Sequence, residues 1–221
     1  MKVFIGIDLS LNSTGICIIK ENTIKVISIF KTENNIEKIF EKKDHFSLLK
    51  KCGDVKIILE GKKNISNEEY HVKERSKILS FIRLNELIIN SIKEEITEET
   101  YIGMEGISFG STGNSLVDIS MVTGILRKDL INNLGGNTER FFVLPPTSIK
   151  KFAGKGNFKK IDMFEAIIKE NDIDSDFIKM LNSNKNLCVT PKGVVKKPIE
   201  DMIDSIWVAK FLKNTVINAG N

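Results

Sequence analysis

The sequence predicts an α/β fold in which helices flank a sheet of mixed strand direction. Three short runs rich in β-branched residues open the chain, and later apolar runs alternate with segments of helical periodicity. The 221 residues, 41% of them hydrophobic, are enough to bury a core. Because we find no internal repeat and no linker-like stretch, we expect a single domain over residues 1–221.

The opening strands are expected to form an antiparallel meander. KVFIGIDL is apolar and β-branched, TGICIIK follows a Ser-Thr-Gly turn, and TIKVISIF follows Glu21-Asn22. Residues 33–68 are ambiguous, since a polar, lysine-rich helical stretch precedes the strand-like run VKIILEG.

The rest of the chain alternates between helices and strands. Apolar residues at helical spacing predict a long helix from Glu69 to Ile96, and TYIGMEG then predicts a strand. A helix from Asn114 to Leu134, closed by two glycines, precedes the strand RFFVLP. We predict two more helices, at 159–170 and 199–212, with a loop-rich segment between them.

Charge and cysteine content narrow the function classes. A net charge of +4 permits a nucleic-acid partner, and residues 145–160 hold five lysines and no acid, while residues 184–198 hold four lysines and no acid. The three cysteines lack metal-binding or disulfide spacing, and we see neither a signal peptide nor an apolar run of about 20 residues. We therefore expect a cytoplasmic protein without a membrane anchor. His45 and His71 lie in polar stretches and are expected at the surface.

Four carboxylates form the candidate site. Asp8 and Glu105 each end an apolar strand, whereas Asp201 and Asp204 share one face of the last helix. Buried carboxylates without basic partners are costly unless they bind a cation, and oxygen ligands suit Mg²⁺ or Mn²⁺. The alternatives are a turn role for Asp8 and a helix-dipole role for Asp201, which Asp204 fits poorly. Two divalent ions about 4 Å apart could support phosphodiester hydrolysis here.

Four segments resemble, in order, the successive motifs of the RuvC-type Holliday junction resolvases, most closely of the bacteriophage branch: IGIDLSLNSTGICII, MEGISFGSTGNSLVDISMVTGILRKDL, PPTSIKKFAGKGNFKK and IEDMIDSIWVA. The resemblance implies an RNase H-like mixed five-stranded sheet flanked by helices, with an inserted segment after the third strand. Residues 33–68 and 171–198 are then insertions atypical of the family. It also implies a homodimer that makes paired symmetric nicks across four-way DNA junctions with two Mg²⁺ ions per site, which Mn²⁺ can replace, and no organic cofactor.

The resemblance also assigns roles to individual residues. It makes Asp8, Glu105, Asp201 and Asp204 the catalytic metal ligands. Residues expected to contact DNA are Lys150, Lys151, Lys155, Lys159, Lys160 and Phe109, the last as an aromatic wedge in the junction. Glu60, at the end of VKIILEG, is a rival for Glu105, but the residues after Glu105 continue the family pattern and those after Glu60 do not.

Two other function classes remain open. A nuclease of flaps, forks or other branched DNA would keep the same fold and site. An actin-like ATPase or sugar kinase shares the strand, acid and Ser/Thr/Gly turn of IGIDLSLNSTG, but it needs a second related domain that we do not find. A catalytically inactive DNA-binding relative is disfavoured because all four carboxylates are present.

Overall fold

The computed structural model describes residues 1–32, 39–40, 43–61, 67–107, 113–170 and 173–219. Within these residues a single sheet contains six strands: β1 (Val3–Asp8), β2 (Ser13–Lys20), β3 (Thr23–Thr32), β4 (Val55–Gly61), β5 (Thr100–Glu105) and β6 (Phe141–Leu144). The strands lie in the order β4-β3-β2-β1-β5-β6. The first three form the expected antiparallel meander, and the other three neighbouring pairs are parallel. The α/β class with a mixed sheet is confirmed.

The sheet has one described strand more than the five expected. The additional strand is β4, the run VKIILEG, whose residues Val55 to Gly61 pair in parallel with Val26 to Thr32 of β3. Within the described part of residues 33–68, Val55–Gly61 therefore extends the sheet at its edge.

The described helices of four or more residues are α1 (Asp44–Lys51), α2 (Tyr70–Ile92), α3 (Asn114–Asn133), α4 (Pro146–Ala153), α5 (Lys160–Ile167), α6 (Asp176–Ser183), α7 (Lys185–Cys188) and α8 (Ile199–Asn218). Helix α4 was not predicted from the sequence, because Pro145-Pro146 was interpreted only as the end of the strand RFFVLP. Proline also suits the first turn of a helix. Helices α6 and α7 occupy the segment expected to be loop-rich. No helix in the described ranges is long and apolar enough to cross a membrane.

The sheet separates two hydrophobic cores. Alternate side chains of a strand face opposite sides, so Ile5 and Ile7 of β1 pack in the core with α2 and α3, while Phe4 packs in the core with α8. Helix α8 is buried around most of its circumference in its first half, where residues 201–210 are all buried. It therefore forms the centre of its layer, covered by other helices.

Two glycines bring α8 against the sheet. A Cβ atom on Gly6 of β1 would lie 2.3 Å from the Ala209 nitrogen, and one on Gly15 of β2 would lie 2.0 Å from the Asp201 carbonyl oxygen. Only glycine permits such backbone contact. The close approach fixes the first turn of α8 beside the end of β1.

Candidate active site

Two of the four carboxylates lie on neighbouring strands. Strands β1 and β5 are parallel, and Ile7 is paired with Met104, so the next residues, Asp8 and Glu105, lie side by side where the two strands end. They line a small cleft of about 190 Å³ together with Ile119 and Thr123 of α3. The sheet thus presents both carboxylates at one edge.

The other two carboxylates come from the first turns of α8. Asp201 and Asp204 are 1% and 6% exposed. The Ser13 hydroxyl, at the start of β2, donates a 2.5 Å hydrogen bond to Asp201, and the glycine contact at Gly15 holds the same turn. Sequence reasoning did not assign a role to Ser13, although the Ser-Thr-Gly turn after Asp8 placed it nearby.

The electrostatics show that the four carboxylates form one cluster. Burial raises the pKa of Asp8 well above its ordinary value, and Asp204, Asp201 and Glu105 raise it further. Burial and then Asp204 raise the pKa of Glu105. Burial is also the largest cause of the raised pKa values of Asp201 and Asp204. Four carboxylates that repel one another in a buried site require cations if all are to be ionised.

The expectation that these carboxylates lack basic partners is wrong. Lys160 pairs with Asp204 and lies 3.5 Å from Glu200, while Lys197 pairs with Asp201 and lies 3.4 Å from Glu200. Burial lowers the pKa of each lysine, but the facing carboxylates outweigh it, so both pKa values lie above the ordinary value. Sequence reasoning gave no role to Lys197, which precedes α8 and therefore shares no helical face with Asp201.

The four carboxylates are chemically suitable ligands for a divalent metal ion, although their present arrangement does not form a site for one. In the part of the chain that the structure describes, no three acidic, cysteine or histidine side chains are grouped closely enough to hold an ion. Instead, Asp201 and Asp204 point their oxygens at Lys197 and Lys160. Carboxylates alone are nevertheless the ligands that Mg²⁺ and Mn²⁺ prefer. Binding would require both ammonium groups to withdraw from these oxygens.

The lysines expected to contact DNA border this cluster. Lys150 lies in the last turn of α4, close enough to Glu105 to lower the pKa of that carboxyl, which burial raises overall. Lys151, Lys155 and Lys159 of the same segment are exposed, and so is part of the Lys160 side chain. Lys160 pairs with Asp204 rather than standing free. Phe109 lies outside the described residues.

Glu60 is far from the cluster. It lies on β4, which β3 and β2 separate from β1, and at about 4.8 Å per strand this places it roughly 14 Å away. Its carboxylate lies 3.7 Å from the Lys31 ammonium. The structure therefore groups Glu105, and not Glu60, with Asp8.

His45 is not at the surface, contrary to expectation. The side chain in α1 is buried, with 7% exposure, and a ring nitrogen lies 3.1 Å from the Lys197 carbonyl oxygen. His71 is exposed, as expected.

Comparison with solved structures identifies the fold. The Thermus thermophilus RuvC structure matches 97% of this chain and 96% of its own, with a TM-score of 0.50 and 11% identity. The fold is that of RuvC. The T. thermophilus RuvC structure in complex with a Holliday junction substrate covers the same shares at a TM-score of 0.50 and 9% identity.

A further match is the yeast mitochondrial Holliday junction resolvase Ydc2, with a TM-score of 0.48 and 19% identity over 93% of this chain and 76% of that one. No protein-family model and no curated protein matches the sequence. The RNase H-like architecture expected from the RuvC resemblance is confirmed, with six described strands instead of five. At sequence identities of 11% and 9%, the similarity to the RuvC structures establishes the fold alone.

Proposed function

We propose that this protein is a metal-dependent endonuclease that resolves four-way DNA junctions by paired symmetric hydrolysis of phosphodiester bonds. The observation that carries the proposal is the convergence of Asp8, Glu105, Asp201 and Asp204 at one edge of a RuvC-type sheet. The similar RuvC structure solved with a Holliday junction substrate supports the class of DNA. We further propose one nuclease domain over residues 1–221 that acts in the cytoplasm of a bacterium or of a phage-infected host.

Each carboxylate has a distinct structural basis for its role. Asp8, at the end of the central strand β1, and Glu105, at the end of the neighbouring strand β5, would hold the metal from the sheet. Asp201, oriented by Ser13, and Asp204 would hold it from α8. Bound Mg²⁺ or Mn²⁺ would supply an acidic water and charge for the leaving oxygen.

A homodimer would supply the two sites that paired nicks require. Exposed apolar side chains lie on α2 and α3, and the Lys77–Asp118 ion pair of 3.5 Å joins the two helices there. These side chains are Ile78, Leu79, Ile82, Val117 and Met121, between 41% and 59% exposed. We propose this apolar face as the contact between two copies, since an exposed apolar patch marks an interaction surface. Val122, on the other side of α3, is in the core.

The direct test is cleavage of labelled four-way, fork, flap and linear DNA by the purified protein with Mg²⁺. We expect symmetric nicks in two opposing strands of the four-way junction, none in EDTA, and a mass near twice 24.9 kDa by light scattering. Equal cleavage of forks and flaps by a monomer would instead favour the broader branched-DNA nuclease.

The basic segment after β6 should govern DNA affinity. Changing Lys151 and Lys155 together to alanine is expected to weaken junction binding and to lower the slope of log affinity against log salt by about 2, because each contributes about one released counterion. Fluorescence anisotropy at several salt concentrations measures both quantities. Lys128→Ala on α3, whose side chain is 74% exposed, is the control and should leave the slope unchanged. Equal slopes in all three proteins would remove these lysines from the interface.

A further inference from the structure

The described parts of the two proposed insertions, residues 33–68 and 171–198, pack against each other and against α8. Asp54, just before β4, accepts a 2.5 Å hydrogen bond from the Ser175 hydroxyl and a 3.0 Å bond from the Phe177 N–H at the start of α6. Leu49 and Cys52 from the first insertion share a core with Phe177 and side chains of α8. The insertions therefore form one structural unit beside the helix that carries Asp201 and Asp204.

This unit fixes the backbone at Lys197. The His45 ring lies 3.1 Å from the Lys197 carbonyl oxygen, and the neighbouring Lys196 N–H donates to the Cys188 carbonyl at 2.9 Å. One contact comes from the first insertion and the other lies within the second. Lys197 is thus held at its main chain from two sides while its side chain reaches toward α8.

The Lys197 side chain forms an ion pair with one of the two carboxylate oxygens of Asp201. Its ammonium donates to Oδ1, while the Ser13 hydroxyl donates to Oδ2. Asp201 is only 2% exposed at its side chain, but Lys197 is 43% exposed. The ammonium can therefore leave toward solvent without opening the core, whereas the carboxylate cannot move away.

We propose that Lys197 is a resident counter-ion of Asp201, which neutralises this carboxylate before a metal ion binds and competes with that ion for it. The inference rests on the proposed metal-dependent nuclease and adds a control on ion entry. Because a DNA phosphate offers the displaced ammonium a new partner, metal binding at Asp201 becomes tighter when DNA is bound.

The test is Mn²⁺ affinity without DNA, measured by calorimetry and by fluorescence of Trp207, the single tryptophan, three residues after Asp204. Lys197→Met, which keeps most of the aliphatic stem, should bind Mn²⁺ about tenfold more tightly than wild type. Lys197→Gln keeps a hydrogen-bond donor without the charge and should also bind more tightly. Lys192→Met removes an exposed charge from the same segment and should match wild type.

Thermal unfolding separates this role from simple stabilisation. Without metal, Lys197→Met should unfold at a lower temperature than wild type because Asp201 loses its partner, and Mn²⁺ should raise the midpoint of the variant more than that of wild type. Unchanged or weaker Mn²⁺ binding by both Lys197 variants, or no Mn²⁺ binding by any of the proteins, would overturn the inference. If the Lys197 variants bind Mn²⁺ more tightly but the wild-type protein cleaves none of the DNA substrates, the inference about Lys197 is upheld and the nuclease proposal is rejected.

Discussion

Asp8→Asn is expected to reduce the rate of junction cleavage about a thousandfold or more while leaving junction binding nearly intact. The substitution removes a carboxylate that we propose as a metal ligand but preserves size and packing at the end of β1, so the loss should fall on metal binding and not on the fold. Single-turnover nicking at saturating Mg²⁺ measures the first effect, and gel shift in Ca²⁺ or EDTA measures the second. Cleavage at a near wild-type rate would remove Asp8 from the site.

The same substitution should stabilise the metal-free protein. Burial and three neighbouring carboxylates raise the pKa of Asp8, so the folded state holds its proton more tightly than the unfolded chain does. The stability contributed by this proton is present at low pH and is lost as the pH rises from about 4 through the raised pKa. Asparagine does not ionise, so in EDTA the unfolding midpoint of the variant should exceed that of wild type by more at pH 8 than at pH 5. A constant difference between the two pH values would contradict this account.

Glu105→Gln should lower cleavage at least about a hundredfold, and Glu60→Gln should change it by less than about twofold. Glu105 ends β5 beside Asp8, where its carboxylate can share a metal, whereas Glu60 lies beyond β2 and β3 and faces Lys31. Both variants make the same chemical change at the end of a strand, so each is the matched control of the other. The reverse ranking would move the second ligand to β4 and would reject the site as described.

The sequence predicted the parts of the site that depend on local pattern. Apolar runs that end in Asp8 and Glu105 mark strand ends, and the spacing of Asp201 and Asp204 marks one helix face, so these placements needed no knowledge of distant contacts. The RuvC resemblance supplied their order.

Features that depend on distant contacts were not predictable in this way. The pairing of β4 with β3, the burial of His45 against the Lys197 carbonyl, and the approach of Lys197 to Asp201 all join separate parts of the chain. His45 follows the charged run EKKD in sequence, and the packing of α1 near the start of α8 buries it. Helix α4 was missed for a different reason, since Pro145-Pro146 can end a strand and begin a helix equally well.

The docking of α8 between the other elements also bears on how the protein is synthesised. The Ser13 hydroxyl and the Asp201 carboxylate that it binds are 188 residues apart in sequence, so this contact cannot form until that whole stretch has been synthesised. A nascent chain on the ribosome therefore exposes Asp8, and later Glu105, long before Asp201 and Asp204 leave the exit tunnel. Until then it holds only half of the proposed metal ligands, so the proposed metal site cannot form before residues 201–204 have been synthesised.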